Sequence, residues 1–345
     1  MWIKTPEEPR HRLQRLRYAN LCWQAEQARQ ARATGDLRGM TEAGHKMERF
    51  GYYKEAWRTL HQAALLQQPP EHRLWRGPRD NARVLFVQRR LRDLGDELRQ
   101  AHLVDRAADD VRHVVVFTEN RLVPLFQRSF PRVSFISNPA ATPRGHRVAV
   151  TSYEQLAFFY ADDEEKIRAG FTPLTPPHAA ATGRRGLGIS WYSKAMYKTL
   201  PNLADWSKLM AKVAGRVQSL QYQEGRAGLA KLVKTSGRPI KASRTVDQFA
   251  DLDSYAGQIA SVRRVLTISN TTAHMAGALG IPCVVVLDRE SVTTWPEQVN
   301  QSPFYPNTRL VRREGNGWES TLKQAYELLL EINPVPGSIM AAAHQ

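Results

Sequence analysis

Five polar residues that could hold a phosphate group follow an apolar run in the C-terminal third of the sequence. They are Ser269, Asn270, Thr271, Thr272 and His274. Residues 265–268 predict a buried strand, residues 271–279 a helix, and residues 283–287 a second strand. Such a crossover places the helix N-terminus at the carboxyl edge of a parallel sheet. Hydroxyl groups, backbone N–H groups and the helix dipole at that edge suit a phosphate, although Ser269 and Asn270 are also ordinary helix caps.

The segment SNTTAHMAGALGIPCVVVL, residues 269–287, resembles the donor-binding segment of bacterial GT-B glycosyltransferases related to the lipopolysaccharide heptosyltransferases. The resemblance is closest to the branch with tetratricopeptide-type helices at the N-terminus. It implies that residues 269–272 and His274 bind a nucleotide sugar; the alternative for His274 is a core histidine. Many heptosyltransferases have D-T-x-x-x-H where this chain has S-N-T-T-A-H, so the motif leaves the sugar open.

A second candidate segment is LGISWYSKAMYKTLP, residues 187–201. Its apolar start predicts a strand, and a lysine pair beyond the strand could neutralise a nucleotide diphosphate leaving group, where a metal ion would otherwise serve. The segment matches a family pattern that begins G-[IL]-S-W and ends [RK]-[ST]-[IL]-P. The match implies donor contacts from four residues, although each lysine could instead be an ordinary surface residue. The four are Trp191, Ser193, Lys194 and Lys198.

Two further groups lie between these segments. Gln221 and Tyr222 end the predicted strand VQSLQY at the same sheet edge and are candidates to touch the donor nucleotide. Asp251 and Asp253 form a D-x-D, which holds a metal-bound nucleotide in glycosyltransferases of the other main fold. We reject a metal site here, because Asp253 precedes a helix predicted from Ser254 and is a natural cap. No metal or other cofactor is expected; the nucleotide sugar is a substrate.

Residues 73–176 alternate strands with helices, which predicts a parallel, doubly wound sheet. A strand at residues 84–87, a loop at residues 94–96 and a helix from Glu97 resemble the first strand and helix of heptosyltransferase-like enzymes. The resemblance makes Asp96 the candidate catalytic base, since direct displacement needs a group that takes the acceptor hydroxyl proton. The residues alone favour Asp96 as a helix cap, and only the resemblance makes a catalytic role equally credible. Glu97 would point elsewhere.

The N-terminal residues predict helices at about 13–33, 37–50 and 53–66. The third has the Gly, aromatic, Ala and Pro order of a tetratricopeptide helix, but one such unit is too short for a solenoid. We therefore expect a helical cap on the next domain. The predicted division is a TPR-like cap (1–72), an acceptor domain (73–176), a donor domain (177–332) and a tail (333–345). A final helix at residues 318–332 is expected to pack across the first domain.

Charge and composition limit the classes of partner that the protein can bind. The 345 residues carry a formal net charge of +16, most of it within residues 1–150, which could attract nucleic acid, anionic lipid or an acidic glycan. Nucleic acid is not expected, because no zinc finger, helix-turn-helix or aromatic RNA-binding motif is present. No apolar run is long enough for a membrane span and the start lacks a signal peptide. We expect a cytoplasmic protein, and the charge leaves open peripheral contact with the anionic inner membrane.

Together these features imply an α/β fold of the GT-B type, with two Rossmann-like doubly wound domains and a short N-terminal helical, TPR-like cap. The implied activity is metal-independent, inverting transfer of a sugar from a nucleotide sugar. A surface glycan, a lipopolysaccharide and a protein all stay open as the acceptor. The alternative is a non-catalytic binding or scaffold protein that has kept the GT-B fold.

Overall fold

The computed structural model describes residues 9–67, 73–89, 93–177, 185–195, 198–222, 227–289, 295–297, 299–315 and 317–332; the side chains of residues 9–15 and 17 are not described. The predicted tail and residues 178–184, which follow the predicted boundary between the two domains, lie outside these ranges. The structure therefore bears on the cap, on both sheets and on the cleft between them.

Three helices form the N-terminal cap. They are α1 (Pro9–Thr34), α2 (Leu37–Arg49) and α3 (Tyr53–Leu66). The predicted bounds of α2 and α3 are confirmed to within a residue, since Asp36 caps the start of α2 and Gly35, at φ +72°, makes the turn before it. Helix α3 packs closely on α2, because a Cβ at Gly44 would come within 2.7 Å of the Leu60 side chain. A small residue on α2 therefore allows the helices of the cap to pack closely against each other.

The first sheet contains four parallel strands in the order β3-β2-β1-β4. Its elements are β1 (Val84–Gln88), α4 (Leu94–Gln100), α5 (His102–Ala107), β2 (His113–Phe117), α6 (Val123–Ser129), β3 (Val133–Ile136), β4 (Val148–Ser152), α7 (Tyr153–Tyr160) and α8 (Glu164–Ala169). The sequence placed residues 94–96 in a loop, and this was wrong. They form the first turn of α4, because the Asp93 carboxylate accepts the Asp96 backbone N–H at 3.3 Å.

The second sheet contains six parallel strands in the order β10-β9-β8-β5-β6-β7. Its elements are β5 (Leu187–Ser190), α9 (Leu203–Met210), β6 (Val217–Ser219), α10 (Ala227–Ser236), β7 (Ile240–Ala242), α11 (Leu252–Ala260), β8 (Arg264–Ile268), α12 (Thr271–Ala278), β9 (Cys283–Leu287), β10 (Thr308–Arg312) and α13 (Glu319–Glu331). The chain order reverses between β5 and β8, which are neighbours. Ligands of open α/β sheets bind at the carboxyl ends of such a strand pair.

Helices from the two sheets meet directly. Gly95 of α4 lies so close to His274 of α12 that a Cβ on the glycine would be 2.7 Å from the imidazole Cδ2. Arg128 of α6 forms an ion pair with Asp253 of α11, and the Leu174 N–H donates to the Ala278 carbonyl at 2.8 Å. These contacts hold the two domains together and place the first turn of α4 beside the first turn of α12.

The expectation that the final helix crosses to the first domain was wrong. Helix α13 packs on β8, β9, β10 and α9 of the second sheet, with Leu322, Ala325 and Leu329 buried in that core. The apolar face of α13 is therefore buried against the second sheet. Within the described ranges, no helix is both long and apolar enough to cross a membrane.

Candidate active site

A cavity of about 1170 Å³ lies where the cap and the two sheets meet. Helices α2 and α3, the first turn of α4, the loop after β5 and the first turn of α12 all contribute to its lining. Most residues predicted from the sequence line it, namely Asp96, Ser193, Lys194, Lys198, Tyr222, Ser269, Asn270, Thr271, Thr272 and His274. Chain crossovers therefore bring the two candidate segments and the candidate base to one space.

The N-terminus of α12 is held by its own side chains. Asn270 is the N-cap: its Oδ1 accepts the Ala273 N–H at 3.3 Å, and its Nδ2 donates to Ser190 Oγ at 2.8 Å. Thr272 is buried and its hydroxyl lies 2.6 Å from the Tyr255 hydroxyl. Both side chains are thus engaged within the protein. The first N–H groups of a helix have no intrahelical acceptor, so a ligand here would meet the backbone N–H groups of the first turn.

Lys198 lies beside this helix start. Its Nζ donates to the Ser269 carbonyl at 2.8 Å, while the Ser269 hydroxyl accepts from Trp295 Nε1 at 2.8 Å. Burial lowers the pKa of Lys198. The lysine cation and the positive helix end consequently act on the same part of the cavity.

The cavity edge also carries a cluster that the sequence did not indicate. Phe249 is 58% exposed, and its ring centroid lies 5.5 Å from Lys194 Nζ and 4.8 Å from the Arg121 guanidinium carbon. Arg121 Nη1 also donates to the Phe249 carbonyl at 2.7 Å. Lys194 is exposed here, and its backbone N–H donates to the Tyr222 hydroxyl at 3.0 Å. Cations from both sheets therefore flank one aromatic ring.

Trp191 and Gln221, which the sequence also predicted as donor contacts, are not among the residues that line the cavity. The Gln221 side chain is 0% exposed and its Oε1 accepts from Ser190 Oγ and from the backbone N–H groups of Trp191 and Tyr192. Trp191 is buried in the core beneath the sheet. Neither side chain lines the cavity, because the loop after β5 needs a buried acceptor for its N–H groups and an apolar anchor.

The Asp96 carboxylate faces the cavity as the third residue of α4. Asp93, rather than Asp96, caps this helix. The Asp96 side chain is 24% exposed and accepts from Arg99 Nη2 at 3.2 Å. Burial raises the pKa of Asp96 to about 6, against the opposing charge of Arg99. A carboxylate with this pKa is mostly ionised at pH 7 and still has appreciable affinity for a proton.

Glu97 occupies a different environment. It is fully buried, pairs with Arg89, and accepts from Thr118 Oγ1 at 2.5 Å. It does not line the cavity, in agreement with the expectation that it points elsewhere.

His274 is both a packed residue and part of the cavity lining. Its ring stacks on Trp295 with centroids 4.7 Å apart, and its Nδ1 lies 3.1 Å from the Tyr305 hydroxyl. Burial, together with the charges of Arg99 and Lys198, lowers the pKa of His274 to about 3. A neutral imidazole at pH 7 can donate or accept a hydrogen bond but adds no positive charge for a phosphate.

The cap and the first sheet supply lining residues that the sequence did not single out. Among them are Thr41, Glu42, His45, Gln67 and Glu154. The four cap residues lie on α2 or just after α3, remote in sequence from the strand ends, so strand-end reasoning could not find them. Glu154 lies two residues after the end of β4, where the same reasoning could have found it. The described residues contain no group of three or more His, Cys, Asp and Glu side chains placed to hold a metal ion. In the D-x-D, Asp251 caps α11, in place of the predicted Asp253, and Asp253 pairs with Arg128.

The chain was compared with known proteins by sequence and by fold. No family model matches the chain. The chain is 24% identical over 266 residues to Protein FlbA of Caulobacter vibrioides, a match that covers 66% of this chain and 43% of FlbA. The chain thus spans less than half the length of that curated relative.

Two solved structures are similar in fold. The E. coli heptosyltransferase WaaC with ADP has 11% sequence identity and a TM-score of 0.50, covering 71% of this chain and 99% of that chain. A family 9 glycosyl transferase from Veillonella parvula has 11% identity and a TM-score of 0.51, covering 73% and 100%. These likenesses confirm the predicted GT-B fold with two Rossmann-like domains. They do not establish the tetratricopeptide-type branch.

Proposed function

We propose that this chain is a glycosyltransferase that moves a sugar from a nucleotide sugar to a hydroxyl acceptor. One observation carries the proposal: a single cavity joins the Asp96 carboxylate, with its raised pKa, to a helix N-terminus beside Lys198, and Lys194 lies at the edge of the same cavity. The first group suits proton removal and the second suits a departing phosphate. The fold likeness to a heptosyltransferase solved with ADP supports the same activity.

In this proposal the second domain holds the donor. The backbone N–H groups of Thr271 and Thr272 bind the diphosphate oxygens at the positive end of α12. Lys198, fixed by the Ser269 carbonyl, and Lys194 at the cavity edge supply positive charge. Because these groups can stabilise the leaving diphosphate, we propose transfer that does not depend on a metal ion.

The chemical step is a direct displacement. Asp96 accepts the proton of the acceptor hydroxyl while that oxygen bonds to the anomeric carbon of the sugar. The bond from the anomeric carbon to the diphosphate oxygen breaks, and its electron pair leaves with the nucleoside diphosphate. The charge that develops on this oxygen is stabilised by Lys198 and the helix end. Attack opposite to the leaving group inverts the anomeric centre.

The first domain and the cap are proposed to hold the acceptor. Their part of the lining has both charges: Glu42, Asp93, Asp96 and Glu154 lie there with Arg38, His45, Arg99 and Arg121. We propose that these groups bind a hydroxyl acceptor on a glycan, a lipopolysaccharide or a protein through hydrogen bonds and ion pairs. The overall positive charge supports a cytoplasmic site of action with peripheral contact at an anionic membrane.

Thermal-shift measurements with ADP, UDP, GDP and CMP test the donor half. A nucleotide at about 100 times its Kd adds about 2.7 kcal/mol of stability, which moves Tm by a few degrees. We expect one nucleotide to do so in EDTA, and Lys194→Met to reduce the shift. Lys231→Met, in an exposed position of α10, is the matched control. Stabilisation by no nucleotide, or only with Mg²⁺, would contradict the metal-independent donor site.

Turnover separates an enzyme from a scaffold with the same fold. The sugar form of the stabilising nucleotide is incubated with the protein, and release of nucleoside diphosphate is measured. We expect release by the wild-type chain and its loss in Asp96→Asn, with nucleotide binding retained. Binding without release in either protein would favour the scaffold alternative.

A further inference from the structure

A continuous line of charged side chains leads from the helical cap to Asp96. Glu48 of α2 forms an ion pair with Arg99 Nη1, and Arg99 Nη2 lies 3.2 Å from Asp96 Oδ1. On the cap side, His45 Nδ1 lies 3.4 Å from the second Glu48 oxygen. Glu48 is 1% exposed and Arg99 3%, so water screens neither charge. The cap therefore reaches the candidate base through one shared guanidinium.

The arrangement is more than an attachment of the cap. A buried ion pair gains little stability over apolar packing, since desolvation offsets the attraction. Arg99 divides its charge between two carboxylates and is covered by the Phe304 ring, 4.6 Å from its guanidinium carbon. If Glu48 carried no charge, the guanidinium would act on Asp96 alone. A carboxylate paired with a full positive charge is a weaker base.

We propose that Glu48 is a positioning residue for the catalytic base: it holds the Arg99 guanidinium, so that Asp96 faces only part of the arginine charge. This inference rests on the proposed function only where it names Asp96 a base; the charge coupling itself does not need that function. The helical cap then belongs to the active site, because one of its buried carboxylates sets the proton affinity of a group on another domain.

Several charged or titratable groups face Asp96, and the charged ones raise or lower its pKa. The negative charges of Asp93 and Glu48 raise the pKa of Asp96, and the positive charges of Arg99 and His45 lower it. From the second domain, the neutral His274 packs on the same first turn of α4. The Tyr305 hydroxyl also interacts electrostatically with Asp96, whose negative charge raises the pKa of Tyr305. Glu48 and Arg99 consequently have opposite effects on one titration.

An NMR titration tests this without any sugar donor. Aspartate labelled with ¹³C at Cγ is incorporated into the full chain, and the Asp96 signal is identified by its absence in Asp96→Asn. We expect Glu48→Gln to move the Asp96 titration to lower pH by about half a pH unit or more, and Arg99→Met to move it to higher pH. A role confined to packing would not give shifts of opposite sign.

A matched control removes a different ion pair of the cap. Arg49 pairs with Glu297 of the second domain, and the Glu297 N–H donates to the Arg49 carbonyl at 2.9 Å. We expect Glu297→Gln to leave the Asp96 titration unchanged. An equal shift in Glu297→Gln, or no shift in Glu48→Gln, would reduce Glu48 to an attachment point and overturn the proposal.

Glu48→Gln could lower stability enough to prevent folding, because it leaves Arg99 buried beside a neutral partner. Arg99→Met and the double variant Glu48→Gln/Arg99→Met then decide the matter. Without Arg99, the second substitution should change the Asp96 titration by less than about half a pH unit. If Arg99→Met leaves the Asp96 titration unmoved, the proposed link does not exist.

The same variants distinguish this inference from the proposed function. In the turnover assay, the acid limb of the pH–rate profile should move in the direction of the NMR titration for each variant. Failure of every nucleotide to bind would remove the proposed function while leaving the NMR result intact. Shifts in the NMR titration without matching shifts in the rate profile would show coupling to an aspartate that is not the base, and would overturn the catalytic part of the proposal.

Discussion

The two sides of the cavity use their charges differently. On the side of the second sheet, Lys198 lies beside a helix N-terminus and Lys194 lies at the cavity edge; the polar side chains of this helix start bond to each other or to the backbone. On the side of the first sheet and the cap, Asp96 and Arg99 belong to a buried network of paired charges. The first arrangement presents fixed positive potential; the second holds a proton acceptor whose affinity depends on its neighbours.

This contrast indicates which property each side should control. Fixed N–H groups and lysines stabilise an anion in the bound and the reacting state, so their loss should appear mainly as weaker binding. The carboxylate acts only when the acceptor proton is transferred, so its loss should appear in the rate. Substitutions on the two sides should therefore separate affinity from turnover.

The largest expected effect comes from Asp96→Asn. Loss of a general base lowers a rate by about 10² to 10⁴-fold, and the neutral amide should leave the Kd for the nucleotide unchanged. Nucleoside diphosphate release and calorimetric titration measure the two quantities. Asp93→Asn, which keeps a capping oxygen in the same turn, should lower the rate less than about tenfold. A comparable loss in both variants would place the effect in the fold of α4.

Lys198→Met should produce the converse result. A charged hydrogen bond contributes about 1.5–3 kcal/mol, so nucleotide affinity should fall by about 10- to 100-fold. The acid limb of turnover near pH 6 should stay in place, because the pKa of Asp96 does not depend on this lysine. Lys208→Met, in an exposed pair with Glu319, serves as the control. Displacement of the acid limb would show that the two sides are not independent.

Asp96 should also make stability depend on pH. Folding raises its pKa from 3.8 to about 6, so the folded state binds the proton more tightly than the unfolded chain. The protonated group favours folding most below pH 3.8, and this advantage is lost as pH rises through 6. Asp96→Asn should therefore exceed the wild type in stability by about 3 kcal/mol above pH 7, with the difference declining towards pH 4. Urea unfolding at several pH values measures this; a constant difference would contradict the raised pKa.

The smallest effect is expected from Asn270→Ala. Loss of an N-cap costs about 1 kcal/mol of stability, and here it also removes the bond from Nδ2 to Ser190 Oγ. Asn202→Ala, which removes the cap of α9 outside the cavity, should cost a similar amount. Only the first should weaken nucleotide binding, because α12 presents its N-terminus to the lysine side of the cavity, whereas α9 does not line the cavity. Equal affinities in the two variants would remove α12 from the donor site.

Local signals predicted much of the donor side. A strand, a cap and a helix follow one another within residues 265–279, so a short segment of sequence was enough to predict that edge of the sheet. Burial removes two of the predicted residues from the cavity lining. Gln221 and Trp191 stand at the right strand ends, but the loop after β5 needs both to satisfy its own backbone and core. A polar residue at a strand end can thus hold a loop or face a ligand, and spacing does not separate these outcomes.

The acceptor side was predictable only in part. Asp96 was found through resemblance, and the residue that caps its helix, Asp93, was overlooked although it stands three positions earlier, where an N-cap is expected. On the donor side, strand β7 of the second sheet was also missed, because it is three residues long, mostly exposed and has no apolar pattern. The ion pair of Glu48 with Arg99 joins residues 51 positions apart and leaves no trace in local spacing.

The sequence by itself determined most of the order of strands and helices, the approximate bounds of those it predicted and the polar residues at the sheet edge, because these follow from periodicity and capping over a few residues. Only the tertiary structure decided which of those residues face the cavity, that the cap closes it, and that Asp96 has a raised pKa. Burial and the distances between charges depend on segments remote in the chain. Desolvation and Coulomb interactions, which set proton affinity, act through space rather than along the sequence.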